Sequence, residues 1–118
     1  LETVGDTMRA SIDGKAVGYA RLVDYSTTDG ISGQRVIELK RLYILERLWG
    51  TGAGEALLTN CVEIAAEREF DTIWLGVWEE NQRARRFYDR LGFRQVGTLM
   101  FPYGDVVGTN LVLEKQIG

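Results

Sequence analysis

Three glycines at alternate positions are the feature of this 118-residue sequence best suited to binding chemistry. The segment LYILERLWGTGAGEALL places Gly50, Gly52 and Gly54 between an apolar run and a helical pattern. Glycine is costly inside a helix and is retained where the backbone turns sharply or approaches another group closely. Backbone N–H groups from Gly50 to Glu55 would converge at a helix N-terminus, where the macrodipole favours an anion. The segment therefore predicts a site for a diphosphate.

Two other glycine-rich phosphate motifs fit the segment less well. A P-loop requires Lys and then Ser or Thr after its last glycine, but Gly54 is followed by Glu55 and Ala56. A dinucleotide fingerprint needs a third glycine three residues after the second, and Glu55 holds that position. A turn that only relieves crowding would need one glycine, so three at alternate positions favour a bound ligand.

The residues that are rare in the sequence restrict its chemistry. The absence of histidine excludes His-based triads, His-ligated metals and His general bases. Cys61 is the single cysteine, so no disulfide or thiolate cluster can form within the chain, and we expect a small core residue there. Catalysis would use carboxylates, Tyr, Lys, the single Cys, water or backbone groups, and we expect no metal. The net charge of −3 favours a cationic small molecule over nucleic acid as a partner.

Length and composition predict one globular domain covering residues 1–118. No apolar run is long enough to cross a bilayer, and the N-terminus has no signal-peptide pattern. We therefore expect a cytoplasmic protein without a membrane partner.

Hydrophobic periodicity predicts the elements that position the glycines. Two strands joined at Asp13 and Gly14 form a hairpin, a polar loop follows, and a buried strand covers residues 35–45. A helix is predicted from Ala53 to about Arg68, and the segment DTIWLGVWE is a second central strand. Asn81 caps another helix, whose apolar stripe is Ala84, Phe87, Tyr88 and Leu91. The chain closes with an antiparallel pair around a loop at residues 102–105, so the order β-β-β-α-β-α-β-β indicates an α/β fold.

These segments together resemble the acyl-CoA-binding half of a GNAT-type N-acetyltransferase. In that family a strand runs into Gln/Arg-x-x-Gly-x-Gly/Ala and a long helix, and here the motif falls on WGTGAG at residues 49–54. The later family pattern N-x-x-A-x-x-F-Y-x-x-x-G-F falls on Asn81, Ala84, Phe87, Tyr88, Gly92 and Phe93. The resemblance covers nearly the whole chain from Met8. The segment from IWLGVWEEN to FPYGD is most similar to the spermidine/spermine acetyltransferase-like branch.

The sequence departs from the family pattern at two points. Trp49 stands where the family prefers Gln or Arg, which removes one expected side-chain contact near the phosphates. The chain also begins at the family's second strand, so we expect an N-terminally shortened domain that lacks the first strand and the first two helices. Those helices usually wall the acceptor site.

The resemblance implies an α+β fold with a mixed, mostly antiparallel sheet whose central strands, residues 39–45 and 72–78, splay apart. Acetyl-CoA would lie with its pantetheine arm in the gap and its diphosphate on the glycine turn. The implied cofactor-binding residues are Leu42, Tyr43, Ile44, Trp49, Gly50, Thr51, Gly52, Ala53, Gly54, Glu55, Asn81 and Tyr88. Two of the arginines that follow Asn81 could also reach the nucleotide phosphates, and these are Arg83, Arg85, Arg86 and Arg90.

The implied reaction is direct attack of a primary amine on the acetyl thioester. Tyr88 would be the general acid, because a phenol with a pKa near 10 can protonate the departing thiolate. Glu38 would take the amine's proton through a water. Glu79 and Glu80 are rivals for that role and candidate substrate-binding residues, because acidic groups, with Asp105, would suit a polyamine.

Two other functions stay open on the sequence alone. The chain could be a non-catalytic acyl-CoA-binding module, or the glycines could bind another phosphate ligand such as ATP or NAD. The strands near the C-terminus and the uncovered sheet edge predict a homodimer.

Overall fold

The computed structural model describes residues 2–4, 7–12 and 14–118, with side chains described from residue 7 onward except at position 12. Strands β1 (Glu2–Val4), β2 (Thr7–Ile12) and β3 (Lys15–Asp24) are consecutive antiparallel neighbours. The predicted β2–β3 hairpin is confirmed, and Gly14 has the positive φ (+77°) of a tight turn, while Asp13 lies outside the described residues. The sequence did not predict β1, because three residues are too few to show alternation.

The remaining elements agree with the predicted order. They are β4 (Val36–Ile44), a 3₁₀ turn (Glu46–Leu48), α1 (Ala53–Glu67), β5 (Thr72–Trp78), α2 (Gln82–Arg90), β6 (Arg94–Tyr103) and β7 (Val106–Gln116). The sheet order is β1-β2-β3-β4-β5-β7-β6, and among the described strands only the β4–β5 pair is parallel. The predicted α/β fold with a mixed, mostly antiparallel sheet is therefore confirmed.

Both helices pack on one face of the sheet, where the larger core lies. α1 buries Leu57, Leu58, Cys61 and Ala65 there, and α2 contributes Tyr88. A smaller core on the opposite face joins Val36, Trp74 and Val112 beneath the loop that leads to β4. The sheet therefore has a helix-covered face and a second, more open face.

The β6–β7 turn is shorter than the predicted loop at residues 102–105. Tyr103 pairs with Val106, so only Gly104 and Asp105 form the turn, and Pro102 belongs to β6. Proline removes a backbone donor, which an edge strand tolerates, and β6 is the last strand in the sheet order. The predicted loop therefore begins two residues before the observed turn, since Pro102 and Tyr103 belong to β6.

Cys61 is a core residue, as the sequence predicted. Its Sγ lies 3.8 Å from the Met8 Sδ, and burial raises the pKa of the thiol to about 12. Because the thiolate is the reactive form, we expect the native protein to leave Cys61 unmodified by a thiol-reactive disulfide reagent at mildly alkaline pH. The absorbance of the released chromophore should appear only after denaturation. A rapid stoichiometric release from the native protein would contradict this burial.

Candidate functional site

The parallel strands β4 and β5 separate part-way along their length. Only three residue pairs join them, although both strands continue for several residues beyond, so a gap opens between them, as the sequence analysis predicted. The three pairs are Val36–Thr72, Ile37–Ile73 and Glu38–Trp74. The β4 backbone along this gap has no strand partner on the β5 side and can hydrogen-bond an extended ligand.

A β-bulge in β4 decides which side chains face the helices beside this gap. The pairs on either side of the bulge are Leu22–Leu39 and Arg21–Arg41, so Lys40 is the extra residue. The bulge shifts the alternation of side chains by one residue. Leu42 and Ile44 therefore join the helix-side core.

A cleft of about 720 Å³ opens beside the gap on the helix-covered face. Its walls are the end of β4, the glycine turn, the first turn of α1 and one side of α2. The lining residues are Leu42, Ile44, Leu48, Trp49, Gly50, Thr51, Gly52, Gly54, Glu55, Asn81, Arg83, Ala84, Arg86, Phe87, Tyr88 and Arg90. Ten of the twelve predicted cofactor-binding residues thus lie together, and Tyr43 and Ala53 are the two outside the lining.

The glycine turn leaves backbone donors at the start of α1. Gly50 and Gly52 have φ values of +80° and +92°, which L side chains rarely adopt. The first helical hydrogen bond runs from the Ala56 N–H to the Gly52 carbonyl at 3.0 Å, so the N–H groups of Gly54 and Glu55 precede it. The structure describes no protein acceptor for those two groups. The turn can therefore donate to an anion.

Glycine is required at positions 50 and 52 for a different structural reason than at position 54. At Gly50 and Gly52, apart from the glycine and its two chain neighbours, no described atom lies within 4 Å of an added Cβ. The backbone conformation, and not packing against other residues, therefore requires glycine there. Gly54 has regular helical geometry, and a Cβ there would lie 3.6 Å from the Phe87 ring and 3.8 Å from Ile44. Because Phe87 and Ile44 line the cleft, a larger side chain at position 54 would project into it.

Trp49 and Arg83 meet at the rim of the cleft. The Trp49 indole Nε1 donates to the Ile44 carbonyl at 3.0 Å, and the Arg83 Cζ lies 4.0 Å from the Trp49 ring centroid. In the sequence, Arg83 was a candidate phosphate contact only as one of four arginines. A stronger signal was available, because basic residues in the first turn of α2 oppose its macrodipole and gain from a nearby anion.

Tyr88 lines the cleft with its ring set in the core. The ring lies edge-on to Phe87 at 5.1 Å and to Phe93 at 5.4 Å between centroids. Burial raises the pKa of Tyr88 to about 12, with a smaller contribution from Cys61. The phenol is therefore neutral and able to donate a proton throughout the physiological range.

Asn81 combines the predicted helix cap with a place in the cleft. Its Oδ1 accepts a hydrogen bond from the Ala84 N–H at 3.1 Å, which confirms the cap. That bond engages only the oxygen of the side-chain amide, so the NH₂ group can still donate to a ligand.

Glu38 and the Tyr43 ring lie on the second face of the sheet, away from the cleft. Glu38 is the last β4 residue paired to β5, and its Oε1 accepts a hydrogen bond from Ser26 Oγ at 2.7 Å. The Tyr43 ring packs 5.7 Å from the Tyr19 ring. The structure thus separates the predicted base from the predicted acid by placing them on opposite faces of the sheet.

Glu79 and Glu80 are exposed in the short connection between β5 and α2 and do not line the cleft. The Glu79 carbonyl accepts a hydrogen bond from the Arg85 side chain, so Arg85 is turned away from the cleft. Within residues 2–4, 7–12 and 14–118, no group of three acidic or Cys side chains is placed to hold a metal ion. None of the helices described is long and apolar enough to span a membrane.

The separated strands, the glycine turn and the capped α2 define an acetyltransferase fold. Residues 3–93 match the acetyltransferase (GNAT) family, and the chain belongs to that family.

Relatives and solved structures agree with this assignment. The chain is 40% identical over 110 residues to an uncharacterised N-acetyltransferase of Mycobacterium tuberculosis, an alignment covering 93% of this chain and 66% of that protein. It is 32% identical over 90 residues to the spermine/spermidine N(1)-acetyltransferase of Bacillus subtilis, covering 75% of this chain and 59% of that protein. The polyamine branch is therefore a distant relative, and the chain spans just under two thirds of the mycobacterial protein.

Two solved structures with bound ligands share the fold. An Arabidopsis thaliana protein in complex with the bisubstrate analogue CoA-Ac-MVNAL superposes with a TM-score of 0.77 at 23% identity, covering 92% of this chain and 71% of that one. A Thermoplasma acidophilum N-acetyltransferase in complex with coenzyme A has a TM-score of 0.70 at 22% identity, covering 94% and 61%. At these identities the likeness concerns the fold alone.

Proposed function

We propose that the protein transfers an acetyl group from acetyl-CoA to a primary amine by direct attack in a ternary complex. One observation carries the proposal: a single cleft brings together backbone amides at the start of α1, the gap between β4 and β5, and Tyr88. Family membership supports it.

In this proposal the chain binds acetyl-CoA through backbone groups. The N–H groups of Gly52, Gly54 and Glu55 hold the diphosphate, aided by the α1 macrodipole. The Thr51 and Ala53 N–H groups would not take part, because they donate to the Leu48 carbonyl and to the Thr51 Oγ1. The exposed edge of β4 from Leu42 to Ile44 pairs with the amides of the pantetheine arm, and the Asn81 NH₂ group donates to the same arm. Tyr43 would contribute through its backbone, since its ring points to the second face.

The proposed chemistry follows from where the acid and the base lie. The amine nitrogen bonds to the acetyl carbon, and the carbon–sulfur bond breaks. Tyr88 donates its phenolic proton toward the sulfur as negative charge develops there. A phenol with a pKa of about 12 is a weaker acid than an ordinary thiol, so donation accompanies bond breaking and does not precede it. Solvent then restores the phenolic proton.

The acceptor would reach the gap from the second face of the sheet. The helices and the cofactor cleft occupy the first face, whereas Glu38 points to the second, because Ile37 and Leu39 on either side of it belong to the helix-side core. In this proposal Glu38 takes the amine's proton through a water. The test is the acetyl-transfer rate of the Glu38→Gln variant. This rate should rise with pH, because a larger fraction of the amine is then already deprotonated and needs no base.

A polyamine is the acceptor class we propose to test first. The Bacillus subtilis relative is named for spermine and spermidine, and Glu79, Glu80 and Asp105 are exposed at neighbouring ends of β5 and β6. Weak attractions from several carboxylates add for a polycation. None of these carboxylates lines the cleft, so they would act on the distant amines of the substrate.

The proposed function is tested by acetyl-CoA consumption with a panel of amines. We expect free thiol to be released faster with at least one primary amine, spermidine and spermine included, than with water alone, together with an acetylated amine detected by mass spectrometry. The contrary result is thiol release no faster than in water with polyamines, amino-acid amides and peptides, although coenzyme A binds. That result would show a non-catalytic acyl-CoA-binding module and would overturn the proposal of an enzyme.

A homodimer and a cytoplasmic location stay predictions. The β6 edge supports the dimer, because it ends the sheet and carries exposed Met100 and Phe101 beside Val106 and Val107 in β7. Sedimentation or light scattering would give the oligomeric state directly.

A further inference from the structure

The stack of Arg83 on Trp49 has no part in the chemistry proposed above. Both side chains lie at the rim of the cleft and both are largely exposed, Trp49 at 47%. The indole is fixed by its hydrogen bond to the Ile44 carbonyl, and the guanidinium lies over the ring at 4.0 Å. The last residue of β4, the glycine turn and α2 are thereby connected across the cleft.

The Arg83 guanidinium contacts an aromatic ring and no carboxylate in the described part of the chain. Among the residues that the structure describes, no carboxylate pairs with Arg83, whereas Arg90 lies 3.7 Å from Glu55 and Arg85 donates to the Glu79 carbonyl. A cation in the first turn of a helix is unfavourable for that helix. The Trp49 ring holds one face of the guanidinium in place. The N–H groups at the edge of the guanidinium can still donate to a ligand, and their planar arrangement suits phosphate.

We infer that Arg83, held by Trp49, binds a phosphate group at the nucleotide end of the ligand that the backbone cradle holds. The inference rests on the proposed function, since it takes that ligand to be acetyl-CoA. Trp49 here acts as a positioning residue that orders the guanidinium without touching phosphate. The side-chain contact expected from the first position of the glycine motif is thus supplied from α2.

The test measures the affinity of coenzyme A and of dephospho-coenzyme A, which lacks the ribose phosphate, by calorimetry. We expect Arg83→Ala to weaken coenzyme A binding about tenfold, the loss of a hydrogen-bonded charge contact at an exposed site. Trp49→Leu should give a smaller loss, because the charge remains but is no longer ordered. Arg83→Lys should fall between them, because it keeps charge without the fork. Arg85→Ala, on the same helix but turned from the cleft, is the matched control and should bind like the unaltered protein.

The outcomes distinguish the ribose phosphate from the diphosphate, and they distinguish a failure of this inference from a failure of the proposed function. A loss confined to coenzyme A places Arg83 on the ribose phosphate, and an equal loss for both ligands places it on the diphosphate. Equal effects of Arg83→Ala and Arg85→Ala, or affinities within about twofold of the unaltered protein, would overturn the inference while coenzyme A binding stands. Failure of the unaltered protein to bind coenzyme A would instead overturn the proposed function, and this inference with it.

Discussion

Replacing Tyr88 by Phe is expected to lower kcat for acetyl transfer about 100-fold or more, while coenzyme A affinity stays within about twofold. The substitution removes only the hydroxyl from a ring that is 9% exposed and packed between Phe87 and Phe93. The core should therefore stay intact, and the departing sulfur should lose its proton donor. Steady-state rates and calorimetry on the same preparations measure the two quantities separately.

The pH dependence gives this prediction a second readout. Burial raises the folded-state pKa of Tyr88 from 10.0 to about 12 and keeps the phenol neutral. The resulting stabilisation is fully present below about pH 10 and is lost as the pH rises from about 10 to about 12. Spectrophotometric titration should show a tyrosine component that ionises near pH 12, and Tyr88→Phe should remove that component.

Tyr43→Phe is the matched control for Tyr88→Phe. It makes the same chemical change in a ring that is 48% exposed and lies on the second face of the sheet. Its turnover should equal that of the unaltered protein. Turnover of Tyr88→Phe within about threefold of this control would show that Tyr88 is only a core aromatic residue. A background rate that does not depend on the amine in either variant would favour the binding module.

Replacing Gly54 by Val is expected to weaken coenzyme A binding about 100-fold, or about 3 kcal/mol, without unfolding the protein. Each contact between an anion and a helix N-terminus contributes about 0.3–2 kcal/mol, so the loss of several reaches this size. A side chain at position 54 would point toward Ile44 and Phe87 in the cleft, where the arm and the diphosphate are proposed to lie. Valine is no worse than glycine for the helix.

Gly54→Ala is the control for the valine variant. Its methyl group would make ordinary contacts at 3.6 Å, so we expect a slightly more stable protein that keeps most of its affinity. Gly52→Val is a poorer test, because φ at that position is +92° and the substitution would strain the turn itself. Equal coenzyme A affinities for Gly54→Val and Gly54→Ala would show that no ligand lies beside position 54.

The sequence predicted the elements whose signals are local. The Asn81 cap, the hairpin turn at Gly14 and the Cys61 core position each depend on a few neighbouring residues, and all three are confirmed. The predicted limits of α1 and β5 agree with the structure to within about two residues, because periodicity changes sharply at their ends.

The features that the sequence did not predict depend on pairing between distant segments. The bulge at Lys40 exists only because of the register of β4 on β3, and it decides that Tyr43 faces away from the cleft. Likewise, Arg83 and Trp49 come together only when α2 packs beside the glycine turn. Neither the bulge nor the Arg83–Trp49 stack can be predicted from the local sequence, because each depends on segments that meet only in the fold.

The most direct measurement of the central claim is the amide NMR spectrum of the ¹⁵N-labelled protein during titration with coenzyme A. The claim is that main-chain N–H groups at the start of α1 hold the diphosphate. We predict that the largest downfield proton shifts fall on Gly52, Gly54 and Glu55, and that ATP and NAD shift them less at equal concentration. Saturable binding of coenzyme A that leaves these three resonances unmoved would contradict the claim.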